Sequence, residues 1–447
     1  MNIKKHSKRI VNGFFVRFFC SFEKRRRGIL SIYLNNGAYE ALCYLLYKKY
    51  INKSSHQERK IQLDFIRQKK KIVVVFQVWN LGKWKCDSVY RAMTKSERFE
   101  PIIWIANQSN TSVQSCAVFK KELELYFKKR NYNFVIASTW SELEQFASPD
   151  ITFIQEPYDF PINLPPNTNN RLLCYVRYGL PNTLTQEGTN FFLHNFTLFY
   201  FGENTIVATE FAEIMQNKGR NIVVTGHPIV DYLMEREEGM PSVWKKTGKE
   251  LKKVIWAPHW TIEQQSFFSV STFLSLADVM VSLAIKYKDS IQFAFKPHPN
   301  LYDALCSHSA WGKQKTDAYY EIWATMENSQ LENGEYRNLF QQSDAIIHDC
   351  GSFILEYMLV GKPCMYLSRG DTEHLFNNMN LEALRCYTIG KTKEDIETFI
   401  QEQVIGDYDP YAEKRKAFCE KYLIPPHGKT AAENIIDAIL GNPPYDQ

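Results

Sequence analysis

The chain has 447 residues, more than one hydrophobic core ordinarily supports, so two or more domains are expected. Its 45% hydrophobic and 23% charged residues are those of a globular protein, and ten cysteines with no C-x-x-C pair exclude a zinc ribbon or a disulfide framework. The net charge of +5 is uneven: residues 1–71 hold 18 Lys and Arg against 4 Asp and Glu, and the remainder 36 against 45. Without a signal-peptide pattern, the expected compartment is a reducing cytosol. An acidic body also argues against a nucleic-acid partner.

Residues 1–70 form a basic, aromatic-rich extension. Phe14, Phe15, Phe18, Phe19 and Phe22 recur at helical spacing before the basic run Lys24 to Arg27. No stretch reaches the roughly 18 apolar residues of a membrane span. Aromatic and basic residues together suit a helix lying on an anionic membrane surface, with a helix packed on the body as the plainer alternative.

From residue 71 strands and helices alternate. "KIVVVFQVW", "PIIWIAN", "NFVIAS", "ITFIQEP", "LLCYVRYG" and "NIVVTGHP" read as strands, with helices over 84–96, 113–130, 140–147 and 209–218. Residues 229–250 are charged and poor in strand formers, which predicts an interdomain connection. The alternation then restarts with "KKVIWAPHW", a helix over 273–287, "IQFAFKPHP", "DAIIHDCGS", the helix "FILEYMLV" and "PCMYLS". Helices over 393–403 and 429–440 close the chain. The pattern predicts two α/β domains with parallel sheets, over 71–228 and 251–447, facing a cleft.

In open parallel sheets ligands bind beyond the carboxyl ends of the strands. Those ends are unusual here. "IWAPHW" places His259 past one strand, "FKPHP" places Lys296 and His298 past the next, and "AIIHDCGS" ends in His348 and Asp349. Three successive ends carry histidine in a chain with 10 histidines, more than polar loops alone account for. Gly351 and Ser352 open a helix, Ser352 as an N-cap, and free N–H groups at a helix start favour an anion. Glu356 stands four residues on within an apolar helix, where a carboxylate needs partners. A phosphate at the helix start and hydroxyls on Glu356 together describe a nucleotide. The prolines flanking His298 stiffen its turn, and its imidazole suits a phosphoryl oxygen or a leaving group. His227 in "TGHP" reads as an interdomain turn residue, and Asp407 and Asp409 in "GDYDP" as a turn. No metal site or cofactor is expected, and no dinucleotide fingerprint, phosphate loop or nucleophile elbow is present.

"VIWAPHW", "FAFKPHP" and "SDAIIHDCGSFILEYMLVGKPCMYL", with "WNLGKWKCDSVYRAMTKSERFEPIIWI" and "VTGHPIVDYL", resemble the CDP-glycerol glycerophosphotransferase family of teichoic-acid and surface-glycan synthesis. The resemblance implies a GT-B fold and transfer of glycerol phosphate from CDP-glycerol to a hydroxyl, releasing CMP. It implies His298 and Ser352 at the donor phosphates and peripheral attachment to the cytoplasmic membrane face, where lipid-linked acceptors reside. Polymerising members carry a W-H-G-T-P-like motif in the first domain, whose histidine is a catalytic candidate. The matching place here reads "CYVRYGLPNT", with Tyr178 and Gly179. The departure fits a lipid-linked or capsular oligosaccharide acceptor better than a growing polymer, with Lys83, Arg177 and Tyr178 as acceptor-side candidates. His298 and His259 are then the catalytic candidates, and Lys296, Asp349, Gly351, Ser352 and Glu356 the donor-binding ones. A GT-B glycosyltransferase or sugar-nucleotide epimerase, and a non-catalytic membrane scaffold, are the alternatives.

Overall fold

The computed structural model describes residues 53–445 apart from 108–112, 158–171, 182–189, 237–240, 263–268, 335 and 371–372. The aromatic-basic segment around Phe14 to Arg27 lies outside the described residues.

Two parallel sheets organise the chain. The first holds β1 (Ile72–Val78), β2 (Phe99–Ile105), β3 (Phe134–Ile136), β4 (Ile151–Ile154), β5 (Leu172–Tyr175), β6 (Phe199–Gly202) and β7 (Ile222–Val224), in the order β3-β2-β1-β4-β5-β6-β7. The second holds β8 (Lys252–Ala257), β9 (Ile291–Phe295), β10 (Ser329–Leu331), β11 (Ala345–His348), β12 (Cys364–Leu367) and β13 (Thr388–Gly390), in the order β10-β9-β8-β11-β12-β13. Central strands such as β4, β9 and β11 are buried throughout, because helices cover both faces, and so they read as unbroken apolar runs. Each sheet's strand order reverses once, between β1 and β4 and between β8 and β11. Those two points are where such folds bind ligands.

Aromatic side chains fill the layers between sheet and helices. In the first domain Phe153 stacks on Phe76 at 4.7 Å and on Phe201 at 5.9 Å. In the second, Trp256 lies between Phe273 and Phe295, with Trp323 against both Trp256 and Phe295.

Several elements differ from the sequence reading. The expected helix over 209–218 runs Thr205–Ile214, because the Asn204 side chain caps it by accepting from Val207 N at 2.9 Å. The interdomain connection opens as a helix, Pro228–Met234, with Ile229, Val230 and Leu233 buried. The eight-residue helix expected from "FILEYMLV" is one α-turn, Phe353–Glu356, tightening into a 3-10 turn, Tyr357–Val360. Gly361, at φ 71°, ends it in the left-handed region that glycine adopts without strain.

The final helix, Ala431–Leu440, follows the second domain in sequence but packs on the first. Its Ala432, Ile435, Ala438 and Ile439 join the apolar cluster of β1, β2, β4 and β5. Asp231 accepts from Ala431 N and Ala432 N, and Arg67, on the helix Lys53–Arg67, donates to the carbonyls of Ala438 and Ile439. Truncating the fully buried Ile435 to alanine should cost about 2–5 kcal/mol in urea unfolding, as a first-domain core cavity would. A cost below about 0.5 kcal/mol would make the helix an accessory.

Candidate active site

Past the ends of β8 and β9 the chain turns twice through proline, and the two turns are tied together. His298 N donates to Pro258 O at 3.0 Å, and the His259 and His298 rings stand 5.0 Å apart, edge to face. His298 Nδ1 accepts from Asn300 N at 3.1 Å, which places the neutral ring's proton on Nε2. His259 Nδ1 is set in the same way by Thr261, whose N–H donates at 3.3 Å and whose hydroxyl lies at 2.8 Å. Burial lowers the His298 pKa to about 4, with the Lys296 ammonium adding to the effect. Burial and then His298 lower that of His259 to about 3. Both rings are therefore neutral at pH 7, each with its Nδ1 occupied and Nε2 as its donor.

The third histidine does not join them. His348 is fully buried among the rings of Phe353, Tyr366 and Tyr387, with Nδ1 against Cys350 O at 3.1 Å. It belongs to the core. Asp349 spends both carboxylate oxygens within the protein. Oδ1 accepts from His259 N at 2.5 Å, and Oδ2 accepts from Thr272 N at 2.6 Å and Thr272 Oγ1 at 2.8 Å. Burial nonetheless raises its pKa to about 6.

Ser352, expected to cap its helix, has helical backbone angles and makes no capping bond. Its half-buried hydroxyl lies at the start of one α-turn, whose dipole is smaller than the expected helix would supply. Glu356 is buried and accepts from Tyr336 Oη at 2.6 Å. Its pKa is raised by burial, against the opposing pull of Lys85 and that hydrogen bond. Lys296, also buried, donates to Gly334 O at 2.9 Å and lies 5.8 Å from the centre of the Tyr336 ring. Lys85, from the first domain, donates to Tyr336 Oη at 3.2 Å and lies 5.4 Å from the same ring centre.

Across the cleft, Lys83 pairs with the buried Glu156 at the end of β4 and lies over the Tyr178 ring at 5.1 Å. These three come together beside the first sheet's reversal point. Arg177 turns away from them: it donates to Tyr200 Oη at 3.3 Å, lies over Phe211 and shares its charge with the buried Glu203. His227 fills the turn role expected of it, capping Pro228–Met234 through Nδ1 while Nε2 meets Arg177 O at 2.9 Å.

A family model for CDP-glycerol:poly(glycerophosphate) glycerophosphotransferases matches residues 180–441. The chain belongs to this family. It is a transferase that moves glycerol phosphate from CDP-glycerol, and its two parallel-sheet α/β domains are of the GT-B type. Among solved structures it resembles the wall teichoic acid polymerase TagF, at 15% identity and a TM-score of 0.55 over 89% of this chain and 96% of that one. It also resembles a UDP-GlcNAc 2-epimerase from Neisseria meningitidis bound to UDP-GlcNAc, at 17% identity and a TM-score of 0.52 over 83% and 100%. At such identities these two are likenesses of fold. No curated protein matches the chain by sequence.

For a glycerophosphotransferase the arrangement offers two imidazole Nε2–H groups and a buried ammonium at one strand-end cluster, with a buried carboxylate beyond. The late D-x-D is structural. Asp409 pairs with the buried Arg415, and Asp407 with Lys252 at 2.5 Å. Among the described residues no three His, Cys, Asp or Glu side chains group as metal ligands, and no helix is long and apolar enough to cross a membrane. Lys85 and Tyr336 are the site residues that the sequence reading missed.

Proposed function

We propose that the transferase seats CDP-glycerol on the second domain and passes its glycerol phosphate to a hydroxyl of a lipid-linked or surface-glycan acceptor held against the first. Lys296, His298 and His259 meet the diphosphate, with Gly351 and Ser352 beside it, and Glu356 takes the ribose hydroxyls. Asp349 acts by holding the His259 turn rather than by touching the donor. The observation that carries this reading is the paired prolyl turns: two imidazoles 5.0 Å apart, each oriented through its Nδ1, beside the β8–β11 reversal. Donors already fixed in place stabilise the charge that develops on phosphoryl oxygens without reorganising at the moment of reaction.

On the acceptor side, Lys83 and Tyr178 offer an ammonium and an aromatic face, which suit a phosphorylated or glycosidic acceptor. Arg177, bound inside the first domain, supports that surface from behind. The product class is a teichoic-acid, capsular or lipooligosaccharide chain bearing glycerol phosphate. The aromatic and basic run around Phe14 to Arg27 brings the enzyme to the anionic inner face of the bacterial membrane, where lipid-linked acceptors reside.

The test is thermal unfolding with CDP-glycerol, CDP-ribitol, CDP, UDP-GlcNAc and GDP-mannose. A ligand at 100 times its Kd should stabilise the fold by about 2.7 kcal/mol, and only the cytidine ligands are expected to do so. Stabilisation confined to uridine or guanosine sugars would assign the seat to a glycosyl donor instead. The released nucleotide then separates the reactions, because phosphotransfer yields CMP and glycosyl transfer a diphosphate.

A further inference from the structure

Lys85 comes from the domain opposite the donor seat, yet its ammonium lies inside that seat. The base of its side chain is anchored at the first sheet's reversal point. Its backbone N–H donates to Gln155 Oε1 at 2.7 Å, and Gln155 Nε2 donates to Gln77 O at 3.3 Å, so the anchor joins the ends of β1 and β4. From there the side chain, only 9% exposed, crosses to Tyr336. Lys296 reaches the same ring from the second domain, and the Tyr336 hydroxyl in turn donates to Glu356. Two buried ammonium groups from opposite domains thus converge on one phenol beside one carboxylate. Desolvation and mutual repulsion both oppose that placement. Negative charge that grows on a leaving phosphate oxygen during transfer offsets both.

We infer that Lys85 is a catalytic residue of this transferase, a first-domain ammonium delivered to the diphosphate of a donor held on the second domain. The inference rests on the donor seat proposed above. In the transfer, the acceptor oxygen attacks the phosphorus that bears glycerol and a new P–O bond forms. The bond from that phosphorus to the bridging oxygen breaks, its electron pair stays with the oxygen, and CMP departs. The acceptor proton passes to solvent. Negative charge grows on the bridging oxygen, and the Lys85 ammonium donates a hydrogen bond to it while keeping its own proton. A cation supplied from the opposite domain is in place only when the cleft is closed, so it favours the transition state over the bound donor. Tyr336 is its positioning residue. Without donor it holds Lys85 at its hydroxyl, and a ribose hydroxyl that takes Glu356 frees both.

The experiment measures CDP binding by calorimetry and CMP release from CDP-glycerol for the full chain, wild type, Lys85→Met, Lys85→Arg and Glu235→Gln. Lys85→Met should lower kcat for CMP release about 10²–10³-fold with CDP affinity essentially unchanged, and Lys85→Arg should recover part of the loss. Glu235→Gln reports the rival, purely structural role. Glu235 bridges the domains through Arg91, at 2.7 and 2.6 Å, and Arg337, at 3.3 Å. It should retain CMP release. Equal losses in Lys85→Met and Glu235→Gln would reduce Lys85 to a domain bridge, and unchanged CMP release in Lys85→Met would remove it from the reaction. A wild type that binds no CDP and releases no CMP would overturn the donor seat, and the role of Lys85 with it.

Discussion

His298→Ala is expected to lower CMP release from CDP-glycerol by about 10²–10³-fold while shifting the unfolding midpoint little. The loss is large because the ring is built as a donor. Asn300 N–H occupies Nδ1, the Pro258 carbonyl fixes the backbone, and Nε2–H is left for the donor phosphates. The stability cost is small because the ring is only partly buried and packs edge-on against His259. A second readout follows from its depressed pKa of about 4. A bound diphosphate favours the protonated ring, so the pKa rises on binding. Affinity for CDP should therefore strengthen as pH falls from 7 towards the unliganded value, with proton uptake in calorimetry across buffers of different ionisation enthalpy. Lys296 and His259 also stand by the ring, so the assignment needs the variant. His298→Gln should abolish the uptake attributed to His298. Wild-type turnover in His298→Ala would remove the ring from the mechanism, whatever its proton balance.

The catalytic half of this picture is legible in the sequence because it is local. Each of His259, His298 and Asp349 follows directly on a buried strand, and parallel sheets present ligands at those ends. The rest depends on distance. Thr272, which takes up Asp349 Oδ2, lies 77 residues earlier, so nothing near Asp349 in the sequence distinguishes a brace from a donor ligand. Lys85 and Tyr336 are 251 residues apart and meet only because two domains close on each other. His348 resembles its neighbours because β11 is buried on both faces, so the strand's alternation gives no sign that this ring points into a helix layer. The strands that the sequence leaves unassigned, β6, β10 and β13, have four, three and three residues. The three residues of β10 and β13 are too few for either alternation or an apolar run to develop, whereas β6 follows the apolar helix Phe192–Phe196 so closely that the strand does not stand out from it. The closing helix reads as part of the second domain because it follows it in the chain. Its apolar face has no partner preference of its own, and the capping by Asp231 that fixes its seat is again non-local.

Asp349→Ala should be the most damaging change to the fold within the site, costing about 3–5 kcal/mol in urea unfolding. Three internal donors lose their acceptor at once: His259 N, Thr272 N and Thr272 Oγ1. Buried donors left without acceptors cost about 1–3 kcal/mol each, and the hydroxyl can turn to lessen its share. Asp349→Asn should recover less than half of the loss. Its carbonyl serves one side, but its amide then faces a backbone N–H, donor against donor. The pH dependence has a definite sign. Burial raises the folded pKa from 3.8 to about 6, so between those values the folded state binds more protons than the unfolded one. The contribution of the wild-type carboxyl is therefore greatest below pH 4 and is lost as pH rises through 6. The stability gap to the alanine variant should narrow over that window. Because the same carboxylate holds the His259 turn, CMP release should fall together with stability, and lower temperature should restore the fold before it restores the rate. A stable Asp349→Ala protein that no longer binds CDP would point the other way: the carboxylate would be a donor ligand, and the turn would stand without it.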